Sequence, residues 1–355
     1  MKQHEMYDEL CTIGNLYVAY RKARRGKGGK WYVIEFEKDL MKNLRGLKTE
    51  LESQTYEPRP LKTFVINDPK TRVISASYFR DRVVHHAVCN IIEPIFEKMF
   101  IHDSYVNRKG KGTHAALDRF DLFKRKVSSN WRLVDGMEDS NMVIGYFLKC
   151  DVRHYFESVD HKILLNIIKR EISDERIIDL IRKILDNHKS RMQGKGMPIG
   201  NLTSQFFANV YLSELDYFVK HRLKARYYIR YVDDFVILHR DRNKLELWKD
   251  EINEFLKTIK LELHKEKSKI YPLHRGANFL GFRVFYHYRL LKKSNISHFM
   301  KRLDKLMELH CEKGISSEDI MKSVNGWLAY AKWANSYKLR RRVESRINKL
   351  TQPTQ

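Results

Sequence analysis

The chain has 355 residues, of which 68 are Lys or Arg and 44 are Asp or Glu, giving a net charge of +24 and an isoelectric point near 9.7. Such a surplus favours a polyanionic partner, most commonly nucleic acid. There is no run of 18 apolar residues and no signal-peptide pattern, which excludes a membrane-spanning protein and predicts a soluble, cytoplasmic one.

The cysteine content and the length of the chain restrict the class of protein further. Cys11, Cys89, Cys150 and Cys311 are too far apart for a metal-binding C-x-x-C pair and too few for a disulfide scaffold, so we expect buried thiols. With 43% hydrophobic residues the chain can bury a large core, and its length predicts two or three subdomains.

The N-terminal part predicts helices, a basic loop and a pair of strands. Residues 21–30, RKARRGKGGK, contain six basic residues, three glycines and no acid, which is typical of a loop that contacts phosphates or of one that is only solvated. Residues 61–75 predict two strands joined by a turn at Asn67-Asp68-Pro69-Lys70, and residues 79–100 predict a helix. The candidate nucleic-acid contacts in the loop are Arg21, Lys22, Arg24, Arg25, Lys27 and Lys30.

The middle of the chain predicts a mixture of strands and helices. Residues 141–151 form an apolar pattern that predicts a strand ending at Asp151, and residues 161–172 and 203–222 have the spacing of helices. The stretch RYYIRYVDDFVILHR, residues 226–240, predicts a hairpin, because β-branched and aromatic residues flank a central Asp-Asp pair.

From about residue 294 the pattern predicts amphipathic helices and no strands. One of these helices places on a single face Val324, Trp327, Leu328, Ala331 and Ala334. Residues 291–355 carry 14 Lys and Arg against 6 Asp and Glu, a net charge of +8. Together with the basic loop at 21–30, they indicate a docking surface for a structured RNA or for a basic partner bridged by RNA. The change of pattern predicts a boundary near residue 290. The densest basic cluster beyond it is Arg340, Arg341 and Arg342.

The adjacent acids Asp233 and Asp234 at the hairpin tip have two interpretations. An Asp-Asp pair is common in turns, because aspartate hydrogen-bonds to its own backbone. Alternatively, the pair binds a divalent cation, since two carboxylates held side by side repel each other unless a cation lies between them. A metal site needs a third carboxylate, and Asp151, at a strand end 82 residues before Asp233, is the candidate. In a strongly basic chain this combination predicts two-metal phosphoryl transfer with Mg²⁺, for which Mn²⁺ can substitute.

Seven segments in order resemble the motifs of reverse transcriptases. They are KTRVISASYFRDRVVHHAV (70–88), SYVNRKGKGTHAAL (104–117), FLKCDVRHYFESVDH (147–161), GMPIGNLTSQFFANVYLSELD (196–216), YVDD (231–234), LELHKEKSKIYPL (261–273) and NFLGFRV (278–284). The resemblance implies an α+β right-hand polymerase whose palm carries the catalytic aspartates on an antiparallel sheet. It also implies fingers and palm over residues 1–290, with an N-terminal extension of about 60 residues, and an all-helical thumb over 291–355.

The resemblance also assigns roles to single residues. It implies that Asp151 and Asp233 are the metal ligands and that Asp234 is the neighbouring carboxylate of the same catalytic site. Arg72 would grip the triphosphate of an incoming dNTP, since its planar fork of donors suits phosphate oxygens. Phe156 would exclude a 2′-hydroxyl from the sugar pocket.

Further residues are implied around the nucleotide and the primer. Lys267, rather than its neighbours Lys265 and Lys269, matches the family's lysine motif and would support the triphosphate or protonate pyrophosphate. Leu280 and Gly281 would hold the primer end, with the glycine allowing a close approach of the backbone. The remaining residues implied for the dNTP pocket are Ile199, Gly200 and Gln205.

The segment IGNLTSQ, residues 199–205, indicates a subfamily. Most reverse transcriptases have Gln-Gly-x-x-x-Ser-Pro here, whereas an aliphatic first residue and a final Gln resemble the enzymes of diversity-generating retroelements. Those enzymes copy a template RNA into cDNA and misincorporate opposite template adenines. The resemblance therefore implies as partners a template RNA with structured flanks, the RNA/cDNA duplex, dNTPs and an accessory variability determinant protein. Alternatively, Ile199 only packs under the fingers, and fidelity is ordinary.

Related enzymes and one different class remain as alternatives. Antiphage-defence and group II intron-like reverse transcriptases of ordinary fidelity share the same palm motifs. The thumb lacks the Val-Thr-Gly triplet of retron enzymes. Because the sequence stops 65 residues after residue 290, where the thumb begins, we expect no endonuclease or RNase H domain of the kind found in a full intron protein. A non-catalytic RNA-binding maturase is the alternative of a different class, against which the three acids argue.

Overall fold

A computed structural model describes residues 5–67, 71–135, 142–190, 192–312 and 314–351. Within these ranges the helices are α1 (Met6–Cys11), α2 (Ile13–Arg24), α3 (Trp31–Lys38), α4 (Leu40–Glu52), α5 (Phe79–Glu97), α6 (Thr113–Val127), α7 (Tyr155–Ser158), α8 (His161–Lys169), α9 (Glu175–Asp186), α10 (Leu202–Tyr217), α11 (Arg242–Thr258), α12 (Lys293–Cys311), α13 (Ser317–Ala331) and α14 (Tyr337–Thr351). The strands are β1 (Lys62–Ile66), β2 (Arg72–Ala76), β3 (Tyr146–Asp151), β4 (Tyr227–Tyr231), β5 (Asp234–His239), β6 (Lys269–Pro272), β7 (Ala277–Phe279), β8 (Phe282–Val284) and β9 (Arg289–Leu291).

The strands form three sheets. Strands β1 and β2 make an antiparallel pair, and β7, β8 and β9 make an antiparallel sheet of three. The remaining sheet has the order β4, β5, β3, β6, and β3 pairs antiparallel with β6 so that Tyr146 lies opposite Pro272. Helices and antiparallel strands therefore occur together, as an α+β fold requires.

The chain divides into two compact units. The first contains Met1–Lys111, Cys150–Phe235 and Leu247–Ser268, and the second contains Gly112–Lys149, Val236–Glu246 and Lys269–Gln355. In the first unit α5 is a central helix that packs against α2. This packing buries almost all of the side-chain area of the valine- and alanine-rich stretch of α5, which stabilises the contact.

The second unit has its own apolar cluster within helices α12, α13 and α14. Its buried members are Phe299, Leu303, Ile320, Val324, Val343 and Ile347. The ring of Phe299 stacks on Trp327 with 4.0 Å between centroids. This stripe of large apolar side chains on each helix is what drives the three helices together.

Most predicted elements are present at the expected places. The strands predicted within 61–75, the strand ending at Asp151 and the Asp-Asp hairpin are confirmed. The helix predicted over 203–222 consists of α10 followed by a short π-helix, Phe218–Arg222. No helix in the described ranges is both long and apolar enough to cross a membrane.

Several details of the predictions are wrong. The basic segment at 21–30 is not a loop throughout, because its first four residues form the last turn of α2. Cys311 is exposed at the end of α12, whereas the other three cysteines are buried as expected. Ala334 lies beyond the end of α13 and is not part of its apolar face. In the turn predicted between β1 and β2, Asp68-Pro69-Lys70 lies outside the described residues.

Candidate active site

The Asp-Asp pair lies where strand β4 turns into β5. Both strands are buried because they consist of aromatic and β-branched residues, and Phe235 and Ile237 have no exposed surface. Val232 and Asp233 are the two residues of the turn, and Val232 has a φ of +57°. The buried strands therefore hold both carboxylates on a short, rigid tip.

Asp151 is brought to the same place by the end of β3. Cys150 and Val152, on either side of it, are buried, whereas Asp151 itself is partly exposed. The backbone nitrogen of Val152 donates to the carbonyl oxygen of Asp233 at 3.2 Å. This bond joins the strand end to the hairpin tip.

The three carboxylates affect one another electrostatically. Burial raises the pKa of Asp233, and the charges of Asp234 and Asp151 raise it further, to about 6 from an ordinary 3.8, while the Lys267 ammonium opposes the rise. Lys267 Nζ lies 3.1 Å from Oδ1 of Asp151. Of the three lysines in the motif, Lys267 is thus the one that contacts a predicted catalytic carboxylate.

The donor chemistry of this site fits Mg²⁺, because carboxylate oxygens are the hard ligands that this ion prefers. Within the described ranges, no three histidine, cysteine, aspartate or glutamate side chains are close enough together to form a preformed metal site. The Lys267 ammonium is paired with Oδ1 of Asp151. The acids of the described residues therefore offer donor atoms that suit a hard cation, but they are not arranged as a metal site.

Strand β2 lies against the segment that begins at Ile199. The nitrogen of Ser75 donates to the carbonyl oxygen of Ile199 at 3.0 Å. Gly200 has a φ of +120°, and a Cβ placed there would be 2.7 Å from Cγ2 of Ile74, so only glycine fits. Arg72 is exposed and lies two residues before Ile74, which puts both side chains on the face of β2 that meets Gly200.

The other residues predicted for the nucleotide pocket surround the same segment. The nitrogen of Met197 donates to the carbonyl oxygen of Phe156 at 2.7 Å, and the Phe156 ring is only partly buried. The Ile199 side chain is also partly buried. Gln205 is exposed on α10.

Leu280 and Gly281 form the two-residue turn between β7 and β8 in the second unit. Both have positive φ, +48° and +88°, as a type I′ turn requires. Tyr330 Oη and Asn295 Nδ2 donate to the Gly281 carbonyl oxygen at 3.0 and 3.2 Å. A Cβ at Gly281 would be 2.6 Å from the Tyr330 hydroxyl. The glycine therefore allows Tyr330 of helix α13 to approach this turn closely.

The predicted nucleic-acid contacts differ in their surroundings. Lys22 Nζ contacts Oδ1 of Asn90 at 2.6 Å, and Arg24 Nε contacts Oε1 of Glu37 at 2.5 Å. The side chains of all six basic residues in this segment are exposed, including Lys22 and Arg24. On α14, Arg341 and Arg342 are exposed and Arg340 is partly buried.

Sequence reasoning missed two groups of polar residues that support the site. Arg230 and Asp216 form an ion pair that is completely buried next to the hairpin. The Asn201 side-chain oxygen accepts hydrogen bonds from the nitrogen and the hydroxyl of Ser77, both at 3.0 Å, and so fixes the base of β2. An arginine in the middle of the apolar run YYIRY was the signal that could have revealed the first group.

Curated relatives with sequence similarity include two bacterial proteins. Protein YkfC of Escherichia coli (strain K12) is 28% identical over 285 residues, which cover 69% of this chain and 72% of that protein. Group II intron-encoded protein LtrA of Lactococcus lactis subsp. cremoris is 25% identical over 353 residues, covering 79% of this chain and 56% of LtrA. This chain therefore spans little more than half the length of LtrA.

A solved structure is similar in fold. Telomerase from Candida albicans, determined with a fragment of telomeric RNA, superposes with a TM-score of 0.52 at 10% identity and covers 77% of this chain and 55% of that one. The α+β fold predicted from the motifs is thereby confirmed. The family model described as reverse transcriptase (RNA-dependent DNA polymerase) matches residues 66–284. Because that match extends over more than half of the sequence, the chain belongs to the reverse transcriptase family.

Proposed function

We propose that this chain is an RNA-directed DNA polymerase that uses Asp151, Asp233 and Asp234 as its catalytic carboxylates. The observation that carries the proposal is the backbone hydrogen bond from Val152 to Asp233, which joins the strand end at Asp151 to the tip that holds Asp233 and Asp234. Burial, and then the charges of Asp234 and Asp151, raise the pKa of Asp233 there. Carboxylates that repel one another at a rigid hairpin tip serve chemistry better than stability. The family membership supports the same conclusion.

Different residues of the chain would bind the metal, the triphosphate and the sugar of the nucleotide. Bound Mg²⁺, or Mn²⁺ in its place, would supply the Lewis acidity that activates a 3′-hydroxyl and stabilises the leaving pyrophosphate. Lys267, next to Asp151, would balance the charge of the triphosphate. Arg72, exposed on β2, would bind the same phosphates, and the Phe156 ring would pack under the sugar.

We further propose that the thumb is the helical region from 291 to 355 and that residues 1–290 form fingers and palm. Support comes from the helices α12 to α14, which follow the last described strand. Leu280 and Gly281 would hold the primer end. The exposed Arg341 and Arg342 would bind RNA by displacing counterions from its phosphates.

At the level of subfamily, we propose an error-prone enzyme of the diversity-generating type. The partly buried Ile199 supports this, because it offers no hydrogen bond to a base pair where most of the family has Gln. Its partners would be a template RNA with structured flanks and an accessory variability determinant protein. The similarity to LtrA favours a second candidate, a group II intron-like reverse transcriptase of ordinary fidelity.

Primer extension tests the proposed activity. A DNA primer annealed to a defined RNA is incubated with the protein, dNTPs and Mg²⁺, and a parallel reaction contains EDTA. We expect cDNA only with the metal, and more product from the RNA template than from a DNA template of the same sequence. Tight RNA binding without extension in either Mg²⁺ or Mn²⁺ would instead identify a non-catalytic RNA-binding maturase.

A further inference from the structure

Arg230 is the most unusual residue near the hairpin, because it is a charged side chain in the middle of strand β4 with no exposed surface. Its Nε and Nη2 donate to the two carboxylate oxygens of Asp216 at 2.7 and 2.6 Å. The Tyr228 hydroxyl donates to the same carboxylate at 2.8 Å. The guanidinium is therefore anchored in one orientation by a bidentate pair.

The remaining nitrogen of Arg230 reaches the catalytic turn. Nη1 donates to the carbonyl oxygen of Val232 at 3.2 Å and to Oδ1 of Asn209 at 3.1 Å. The Val232 carbonyl is part of the peptide bond that links Val232 to Asp233. The carbonyl of Asp233 is itself held by the Val152 nitrogen at 3.2 Å. Both peptide planes that flank the Asp233 side chain are thus fixed by hydrogen bonds.

This turn needs to be held, because Val232 is strained. Its φ of +57° lies in the left-handed region, which β-branched residues strongly disfavour. In a two-residue turn with positive φ at the first position only, that position normally carries glycine. A valine there persists only where the surroundings over-determine its conformation.

Stability alone does not account for the ion pair. Two buried charges lose their hydration, and replacing such a pair by apolar residues is often neutral or stabilising. A planar fork, however, can bind a carboxylate with two nitrogens and reach a carbonyl with the third, which a lysine cannot do. The geometry of Arg230 therefore suits a side chain that holds the Val232 carbonyl in a fixed orientation.

We propose that Arg230, anchored on Asp216, is a positioning residue that holds the Val232 carbonyl and keeps the turn in the strained form that presents Asp233. This inference rests on the proposed function, since it concerns the placement of a proposed metal ligand. Val232 is then the strained residue, and Arg230 is the residue that holds it in the strained conformation.

A double-mutant experiment separates this role from a general contribution to the core. Arg230→Lys keeps a positive charge for Asp216 but loses the fork, and Val232→Gly adopts positive φ without strain. Tyr228→Phe is the matched control, because it removes one hydrogen bond from the same Asp216 and leaves the Val232 carbonyl bonded. Mn²⁺ binding without nucleic acid, followed by electron paramagnetic resonance, is the first readout, and the Mg²⁺ dependence of primer extension is the second.

We expect Arg230→Lys to weaken Mn²⁺ binding roughly tenfold, the order that release of one strained backbone conformation implies. Val232→Gly in the Arg230→Lys background should restore most of the affinity, and Tyr228→Phe should bind as the parent does. Equal binding by Arg230→Lys and the parent, no recovery in the double variant, or an equal loss in Tyr228→Phe would overturn the proposal.

Folding gives a second criterion. If Arg230→Lys does not fold, we expect Val232→Gly to restore a folded protein, and failure of the double variant to fold would also overturn the positioning role. A parent that neither binds Mn²⁺ nor extends a primer refutes the proposed function and this inference together. A parent that does both, with Arg230→Lys unaffected, refutes the positioning role alone.

Discussion

Val152 and Asp233 are joined by a backbone hydrogen bond of 3.2 Å, from the nitrogen of the first to the carbonyl oxygen of the second. Val152 directly follows Asp151, so this one bond places the end of strand β3 against the tip of the Asp-Asp hairpin. The closeness of the acids has a cost that can be measured, because burial and neighbouring charge raise the pKa of Asp233 to about 6.

The raised pKa predicts a pH-dependent effect of Asp233→Asn on stability in the absence of metal. The folded state holds the Asp233 proton more tightly than the unfolded state, whose pKa is near 3.8, so the stabilising contribution is complete below pH 3.8 and is lost as pH rises through 6. An amide has no such proton to lose. In EDTA at pH 8 the variant should therefore be more stable by on the order of 3 kcal/mol.

Denaturant unfolding at pH 4 and pH 8, followed by circular dichroism, measures this effect. The difference between variant and parent should be largest at pH 8 and small at pH 4. Asp250→Asn, an exposed position on α11, controls for loss of a carboxylate elsewhere. A stability difference that is the same at both pH values would contradict the assigned pKa of Asp233.

The partly exposed Phe156 ring predicts selection against ribonucleotides. Phe156→Ala should raise rNTP incorporation relative to dNTP by roughly 10- to 100-fold, the range in which a pocket discriminates by one small group. Phe156→Tyr keeps a ring at the position and should discriminate as the parent does. Single-nucleotide extension with dCTP and CTP gives the ratio. Unchanged discrimination in Phe156→Ala would place the sugar gate at another residue.

The apolar side chain of Ile199 should lower the fidelity of DNA synthesis. A glutamine there could form a hydrogen bond near the nascent base pair, and one such bond changes a selection ratio roughly 2- to 13-fold. We expect frequent errors, concentrated at template adenines, and a partial return of accuracy in Ile199→Gln but not in Ile199→Val. Sequencing of cDNA from one defined RNA decides this. Equal error rates at all four template bases in parent and variants would favour the intron-like candidate.

The hydrogen bonds of Asn201 to Ser77 should stabilise the end of strand β2. Its side-chain oxygen is the acceptor for both the nitrogen and the hydroxyl of buried Ser77, so Asn201→Ala should cost roughly 1–3 kcal/mol. Asn201→Asp keeps an acceptor oxygen and should retain the contact. Hydrogen exchange over residues 72–77 and the KM for dNTP should both rise in the alanine variant. Identical behaviour of the two variants would show that the contact does not hold the strand.

The sequence was sufficient for features that depend on local pattern. Runs of buried β-branched and aromatic residues predicted the hairpin, and the order of the motifs predicted the α+β fold and brought Asp151 and Asp233 into one hypothesis. The hairpin follows from the composition of a short segment, whereas the fold was implied by the resemblance of the ordered motifs to reverse transcriptases.

Features that depend on distant contacts could not be predicted in this way. Lys267 contacts Asp151 across 116 positions, and Asn201 contacts Ser77 across 124. Nothing local distinguishes Lys267 from the lysines two positions before and after it. The buried Arg230 departs from the apolar pattern of its strand, but its partner Asp216 lies on a helix that reads as ordinary core.

The central claim is that the carboxylate at the hairpin tip is required for RNA-directed DNA synthesis, because an amide cannot supply the negative charge that holds the cations. RNA binding, by contrast, should depend on Lys and Arg and survive the change. The most direct test is primer extension on an RNA template in Mg²⁺ by the parent, Asp233→Asn and Asp250→Asn, with RNA affinity measured by fluorescence anisotropy in parallel. We predict cDNA from the parent and Asp250→Asn, none from Asp233→Asn, and similar RNA affinity in all three, whereas continued extension by Asp233→Asn would contradict the account.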